Sequence, residues 1–224
     1  HFSFIFNNMD NNPDLKNKDY EKILRKNIKA VESFGYKTTI FSNTLTWGKS
    51  FNFVKMCENS PLDAGIYKRI MNSAHPMVHY ADVLRILILW RQGGSYLDGD
   101  AFMQHNKYVE KALQENKMLV MRSPSGHRFC PLKWGCIDYK GETFYISNGL
   151  LHNFEPKSNF LARILEEMPK KYDPDSWSSI GPHLLTYVWK GLPKKEKEKF
   201  LLVEWKNIWG KNCDSCDFKE YQFQ

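Results

Sequence analysis

The sequence predicts an open, mostly parallel α/β sheet flanked by helices. Three observations carry that reading. Phe2–Phe6, Tyr20–Phe34 and Tyr36–Phe41 read as strand, helix and strand at the spacing of a parallel βαβ unit. Val78–Gln92 is a long, largely apolar helix that passes through Gly93-Gly94 into the short strand Ser95–Leu97. Further strand-length apolar runs then alternate with helical patterns to the end of the chain.

Taken in order, Phe2–Phe6 is apolar and aromatic, as a buried first strand should be, and Asn7–Pro13 is a loop by composition. Tyr20–Phe34 has helical spacing through Ile23, Leu24, Ile28 and Val31 and stops at Gly35. Phe51–Met56 reads as a short strand or turn, and Ala64–Met71 as a helix. Tyr108–Asn116 is helical, Met118–Met121 is a strand, and Phe144–Leu151 is a strand or strand pair carrying Asn148. Lys157–Lys171 is an amphipathic helix with Phe160, Ile164, Leu165 and Met168 on one face. Gly181-Pro182 opens a helix running to Trp189, and Leu201–Trp205 is the last strand.

The chemistry concentrates after the long helix. Asp98 and Asp100 stand one residue apart at the end of the motif strand. In an extended strand residues i and i+2 face one side, so both carboxylates address one object. Two hard anionic oxygen ligands suit Mn²⁺ or Mg²⁺, which complete their shells with substrate phosphates. A metal-bound diphosphate is therefore the ligand this pair predicts; a surface turn is the plainer reading of Asp-Gly-Asp. Asp82 and Arg85 share a face of the preceding helix at i and i+3. Inside so apolar a helix the two charges are costly unless paired or used. Gly93 and Gly94 let the backbone turn where a side chain would obstruct it.

Asp82-x-x-Arg85 followed by Gly93-Gly94-x-Tyr96-Leu97-Asp98-x-Asp100 resembles the sugar-nucleotide motif of glycosyltransferase family 32 and of the glucosyltransferase domains of large clostridial toxins. Asp175-Ser-Trp177-Ser-Ser-Ile-Gly181-Pro182-His-Leu-Leu185-Thr186 resembles a segment of the animal α1,4-galactosyltransferase (globotriaosylceramide synthase) and α1,4-N-acetylglucosaminyltransferase group. His79-x-x-Asp82, Asn148-Gly149 and the aromatic block Phe200–Trp209 match the same group. The resemblance runs from about Ile5 to Trp209. It departs at Gly99, an unusual filler between the aspartates, and at Phe6-Asn7-Asn8, where an acidic first loop is expected.

The resemblance implies a GT-A fold with a DXD metal site, Mn²⁺ (or Mg²⁺) as cofactor, and a UDP-sugar donor, UDP-galactose or UDP-N-acetylglucosamine. It further implies transfer in α linkage, with retention, onto a galactoside of a glycolipid or glycoprotein. Asp98, Asp100 and Arg85 form the implied catalytic set. Asp100 is the direct metal ligand; Asp98 touches the metal through water or reaches the ribose or sugar. Arg85 bonds the donor's hydroxyls or phosphate and Asp82 holds Arg85 or a sugar hydroxyl; the plainer reading is a structural ion pair. Tyr96 lies beside ribose or uracil or packs in the core, and Asn148 bonds a sugar or simply ends a strand. His183 is a late third metal ligand or an ordinary helix-start histidine, Trp177 an acceptor platform or a core residue, and His79 a buttress of the motif helix. Rival readings are a mannosyl- or glucosyltransferase of the same fold and a non-catalytic nucleotide-sugar-binding relative. A nuclease or phosphatase is weaker, because one aspartate pair supplies too few ligands for two metals.

At 224 residues the chain suits one catalytic domain over 1–224, and its abrupt entry into a strand at His1 reads as a fragment of a longer, N-terminally anchored protein. The net charge of +7 is concentrated in Lys16–Lys29 and Lys190–Lys199; without a nucleic-acid motif these read as solvated helix faces, and no nucleic-acid partner is expected. No run is apolar and long enough for a signal peptide or membrane span. By resemblance the whole protein is a Golgi membrane protein with a luminal catalytic domain, tethered through a segment absent from this chain. Five cysteines leave disulfides and buried thiols equally open, and Cys213-x-x-Cys216 alone cannot make a zinc site.

Overall fold

Alternation along the strands sorts the apolar side chains into two layers. The computed structural model describes residues 1–6, 17–42, 49–50, 52–99, 101, 103, 105–124, 137–139, 142–204 and 206–209. Strand β1 (Phe2–Phe6) sends Phe2 and Phe4 to one face and Ile5 to the other, as period-2 geometry requires. The same switch recurs at Tyr96 and Leu97, at Val120 and its neighbours Leu119 and Met121, and at Leu151 and Leu150.

Helix α1 (Asn17–Ser33) leads to β2 (Thr38–Ser42), which pairs parallel with β1 as the βαβ spacing predicts. A two-residue strand β3 (Lys49–Ser50) extends that edge. Helices α2 (Phe53–Cys57) and α3 (Ile66–Met71) precede α4 (Pro76–Gln92) and strand β4 (Gly94–Leu97). Then come α5 (Lys107–Gln114), β5 (Met118–Pro124), β6 (Ile137–Tyr139) and the long β7 (Glu142–Phe154). Helices α6 (Asn159–Lys171), α7 (Pro182–Lys190) and α8 (Lys194–Lys197), strand β8 (Phe200–Glu204) and helix α9 (Lys206–Trp209) complete the order.

The sheet runs β3-β2-β1-β4-β7-β5-β8, with β6 on β7. The β1–β2, β1–β4, β2–β3 and β5–β8 pairs are parallel; β7 runs antiparallel to β4, β5 and β6. The larger core layer gathers residues of α2, α3, α4, α6 and α7, the other residues of α1, α5 and α9. Every residue from Asp82 to Trp90 is buried, as its composition predicts.

Two expectations need correction. Phe53–Cys57 is a helix, not a strand: Phe53, Met56 and Cys57 are buried at helical spacing, and so short an apolar run carries no decisive period. Ile23 is 44 % exposed; the buried face of α1 runs through Leu24, Asn27 and Val31. Among the cysteines Cys57 is a buried free thiol, its pKa pushed up to about 11 by burial; Cys130, Cys136, Cys213 and Cys216 lie outside the described residues.

A buried histidine makes the sheet acid-sensitive. His152 on β7 stacks on Phe2 at 5.6 Å and bonds Ser95 Oγ through Nδ1 at 2.6 Å. Burial lowers its pKa from 6.5 to about 4. A pKa lower in the folded than in the unfolded chain means the unfolded chain takes up the proton first, so stability falls as pH drops from 6.5 toward 4. The expected loss is roughly 3 kcal/mol, because each tenfold drop in proton affinity is worth ~1.4 kcal/mol. Urea midpoints at pH 7.5 and 4.5 should differ less for His152→Gln than for the wild type; parallel behaviour would refute this role.

Candidate active site

Helix α4 and strand β4 are joined by a turn that only glycine fits. Gly93 and Gly94 have φ of +68° and +81°. A Cβ at Gly93 would lie 2.6 Å from Pro156 Cδ and 2.7 Å from the Phe154 carbonyl. The chain therefore reverses tightly, and β4 runs back beside the helix that carries Asp82 and Arg85.

Strand β4 ends at Leu97, before the stretch whose extended backbone would put Asp98 and Asp100 on one side. The Asp98 N–H still donates to the Gly149 carbonyl at 2.9 Å, and the Ala101 N–H closes a turn on the Asp98 carbonyl at 3.0 Å. The extended-strand argument for the aspartate pair thus gives way to a turn through Gly99. Asp100 itself lies outside the described residues.

Asn148 reaches the same place through a bulge. Val120 pairs with Leu151 but Met121 pairs with Ser147, so Asn148, Gly149 and Leu150 have no partner on β5. Such a bulge re-aims side chains, here at the end of β4, where Leu97 pairs with Leu150.

Arg85 is the hub of the cluster and is 6 % exposed. Its Nη1 donates to the Asn148 carbonyl at 2.9 Å and pairs with Asp98 Oδ1 at 3.0 Å. Nη2 pairs with Asp82 Oδ1 at 3.2 Å, and Nε faces the Ala81 carbonyl at 3.4 Å. The guanidinium also lies over the Tyr96 ring, 4.7 Å from its centroid. The Tyr96 hydroxyl donates to Asp98 Oδ1 at 2.7 Å, and Asn148 Nδ2 donates to Asp82 Oδ1 at 2.6 Å.

The electrostatics follow from that crowding. Burial alone would lower the Arg85 pKa, but Asp98, Tyr96 and Asp82 more than reverse it, so the charge is locked on. Burial pushes the Asp82 carboxyl up to about 6 against the pull of Arg85, with Asp98 adding to the rise. Asp98 has a side chain 30 % exposed, and both its bonds fall on Oδ1. Among the described residues Oδ2 has no bond; it lies over Gly149, where a Cβ would stand 2.9 Å away. A hard anionic oxygen that is fixed yet unspent suits a divalent cation or a sugar hydroxyl. No group of three or more His, Cys, Asp or Glu gathers as a metal cage among the described residues. Mg²⁺-like ions need none, since one or two carboxylates plus phosphate suffice.

Of the residues singled out from sequence, Asp82, Arg85, Tyr96, Asp98 and Asn148 therefore form one connected network. Tyr96 is core-packed with its hydroxyl on the site. His79, on α4, bonds the Ser176 carbonyl through Nε2 at 3.0 Å and faces the hydroxyls of Ser73 and Tyr172 through Nδ1, both at 3.1 Å. It buttresses the helix against the segment bearing Trp177, which is 42 % exposed rather than core. His183 is buried against Ser178 Oγ at 3.0 Å. Two glycines have a role that spacing alone did not show. Gly149 makes room for Asp98, and a Cβ at Gly181 would overlap Asp82 Oδ2 and stand 2.8 Å from Asn148 Nδ2.

Comparison with known proteins places this geometry. The family of glycosyltransferase sugar-binding regions containing a DXD motif matches residues 13–119, which include Asp82, Arg85, Tyr96, Asp98 and Asp100. The α1,4-glycosyltransferase conserved region matches residues 153–206, which include Gly181. The chain resembles the DXD-containing glycosyltransferases along both of these stretches. It is 27 % identical over 146 residues to a lactosylceramide 4-alpha-galactosyltransferase of Mus musculus, covering 64 % of this chain and 33 % of the relative. It is 30 % identical over 110 residues to the protein of the same name in Rattus norvegicus, covering 49 % and 24 %. The chain thus spans about a third or less of the length of these relatives. The solved PaToxG Glycosyltransferase superposes with a TM-score of 0.56 at 12 % identity over 88 % of this chain and 71 % of that one, and it shares the fold. The fold is accordingly the GT-A α/β arrangement.

Proposed function

We propose that this chain is a catalytic domain that transfers a hexose, galactose or N-acetylglucosamine, from a UDP-sugar in α linkage to a galactoside acceptor on a glycolipid or glycoprotein. The observation that carries the reading is Asp98: its Oδ1 is spent on Arg85 and Tyr96, and its Oδ2 is left open at the end of a sheet strand, inside the DXD match. In open α/β sheets ligands bind at such strand ends. Names of the relatives, lactosylceramide 4-alpha-galactosyltransferases, favour galactose over other sugars and a glycolipid over other acceptors.

Asp100 and the free oxygen of Asp98 would hold Mn²⁺ or Mg²⁺. When bound, the ion supplies positive charge against the charge that grows on the departing diphosphate. The protein's own residues do the rest. Asp82, Tyr96, Asn148 and Arg85 form the rigid floor that orients Asp98. Arg85 is buried and bonded to Asp82, Asp98 and the Asn148 carbonyl, which supports a role through Asp98, the ion-pair side of the two readings its sequence left open. The sugar's anomeric bond to the diphosphate oxygen breaks and an acceptor hydroxyl takes its place, its proton passing to the departing diphosphate. Trp177 offers an acceptor sugar an apolar face, on a segment bonded to His79 at Ser176 and packed against Asp82 at Gly181. A luminal Golgi setting belongs to the same proposal; no helix among the described residues is long and apolar enough to cross a membrane.

The test is donor hydrolysis over a panel of UDP- and GDP-sugars, with Mn²⁺ and with chelator. UDP-galactose or UDP-N-acetylglucosamine should be cleaved only with the ion, and Asp100→Asn should lose about 10²–10³ in rate. Activity indifferent to both ion and substitution refutes the proposal.

A further inference from the structure

Helix α1 turns an apolar stripe toward the sheet, and that stripe contains an asparagine. Leu24 and Val31 are fully buried, Ile28 is partly so, and Asn27, between them at i+3 and i+4 spacing, is 1 % exposed. A leucine would serve this face better, because a buried amide is costly unless bonded. Asn27 is bonded: its Nδ2 donates to the carbonyl of Gly99, the residue between the two aspartates of the DXD motif.

Among the described residues no other group bonds that carbonyl. The Asp98 N–H is fixed by Gly149 on β7, and the Asp98 carbonyl by the Ala101 N–H. Neither contact orients the peptide that leaves residue 99. Glycine at this point gives that peptide its greatest freedom to rotate. A peptide unit is planar, so fixing the direction of one carbonyl fixes the whole plane in which the chain goes on. A side chain anchored on a separate helix, buried and facing the sheet, does this here.

We infer that Asn27 is a positioning residue that sets the DXD turn for divalent cation binding. The inference rests on the metal-dependent reading above. It also gives the unusual Gly99 a physical companion: a filler that is free to flip is matched by a buried amide that stops it flipping.

Mn²⁺ binding in the presence of UDP, followed by the loss of the free-ion electron paramagnetic resonance signal, tests this apart from turnover. Asn27→Leu completes the apolar stripe and should unfold at or above the wild-type midpoint. It should nevertheless bind Mn²⁺ roughly three- to tenfold more weakly, the fold-change of one hydrogen bond's net worth. Asn27→Ser, shorter and unable to clash, should show the same weakening if the leucine variant fails to fold. A merely structural asparagine would move the unfolding midpoint and leave the affinity alone. Variants that fold and match the wild-type affinity overturn the inference by itself. A wild type that takes up no Mn²⁺ with UDP overturns the proposed function, and the inference with it.

Discussion

Arg85→Met should lower stability by about 3–5 kcal/mol, the usual cost of stripping one partner from a buried ion pair. Methionine keeps an apolar stem but has no guanidinium, so the charge, its hydrogen bonds and its contact with the Tyr96 ring are lost together. Asp82 is 3 % exposed and would keep only the Asn148 amide, while the Asn148 carbonyl would lose its donor and Asp98 its cation. The effect has a sign in pH. The Asp82 carboxyl already sits at about 6 with Arg85 present, against 3.8 unfolded. A carboxyl whose folded pKa is raised adds stability below its unfolded pKa and loses it as pH rises through the folded one. Removing Arg85 raises the folded pKa further, so the deficit against wild type should widen between pH 6 and pH 8. Asp82→Asn should cost much less, because that side chain loses a charge burial already disfavours. Arg85→Lys should recover only part, since an ammonium cannot span the fork between Asp82, Asp98 and the Asn148 carbonyl. Urea midpoints at the two pH values settle the matter; an Arg85→Met variant within 1 kcal/mol of wild type would remove the hub from the account.

How far the sequence could be read depended on where the signal was local. Helix α4 was legible because a largely apolar run and a Gly-Gly stop agree over Val78–Gly94; its start at Pro76, two residues earlier, was not. The βαβ entry was legible because two periods, 2 and 3.6, succeed one another. Phe53–Cys57 was not, since five residues cannot display a period. Nor was the buried face of α1, where Asn27 holds a place that hydrophobicity assigns to Ile23; the partner that makes the asparagine tolerable is the carbonyl of Gly99, on the far side of the motif strand. The members of the site could be named because Asp82, Arg85, Tyr96 and Asp98 fall in one short stretch. Their roles were less legible. Asn148 reaches Asp82 through a bulge that no composition announces, and the mutual closeness of Gly181, Asp82 and Asn148 is a matter of packing. Which of the two readings of Arg85, donor contact or ion pair, fits was not legible either, because its burial among these acceptors lies in the tertiary structure alone.

Asp98→Asn separates the fold of this site from its chemistry, and it is expected to fold without turning over. In the wild type both donors, the Tyr96 hydroxyl at 2.7 Å and Arg85 Nη1 at 3.0 Å, fall on Oδ1. An asparagine can satisfy both only by placing its carbonyl oxygen there, because an amide nitrogen would face two donors. That choice puts the NH₂ group where Oδ2 stood, over Gly149 and toward the ligand side. The inner contacts survive as neutral rather than charge-assisted bonds, so the stability loss should be about 1–2 kcal/mol. The outer oxygen, the one atom offered to a cation or sugar hydroxyl, becomes a donor that repels the first and cannot accept from the second. Transfer should fall by about 10²–10³, as when a group stabilising transition-state charge is removed. The two quantities must therefore part company: a nearly normal unfolding midpoint with a crippled rate. If rate and midpoint fall together, Asp98 is chiefly a partner for Arg85. If the rate stays within tenfold of wild type while the protein folds normally, the free oxygen of Asp98 does not face the reacting groups.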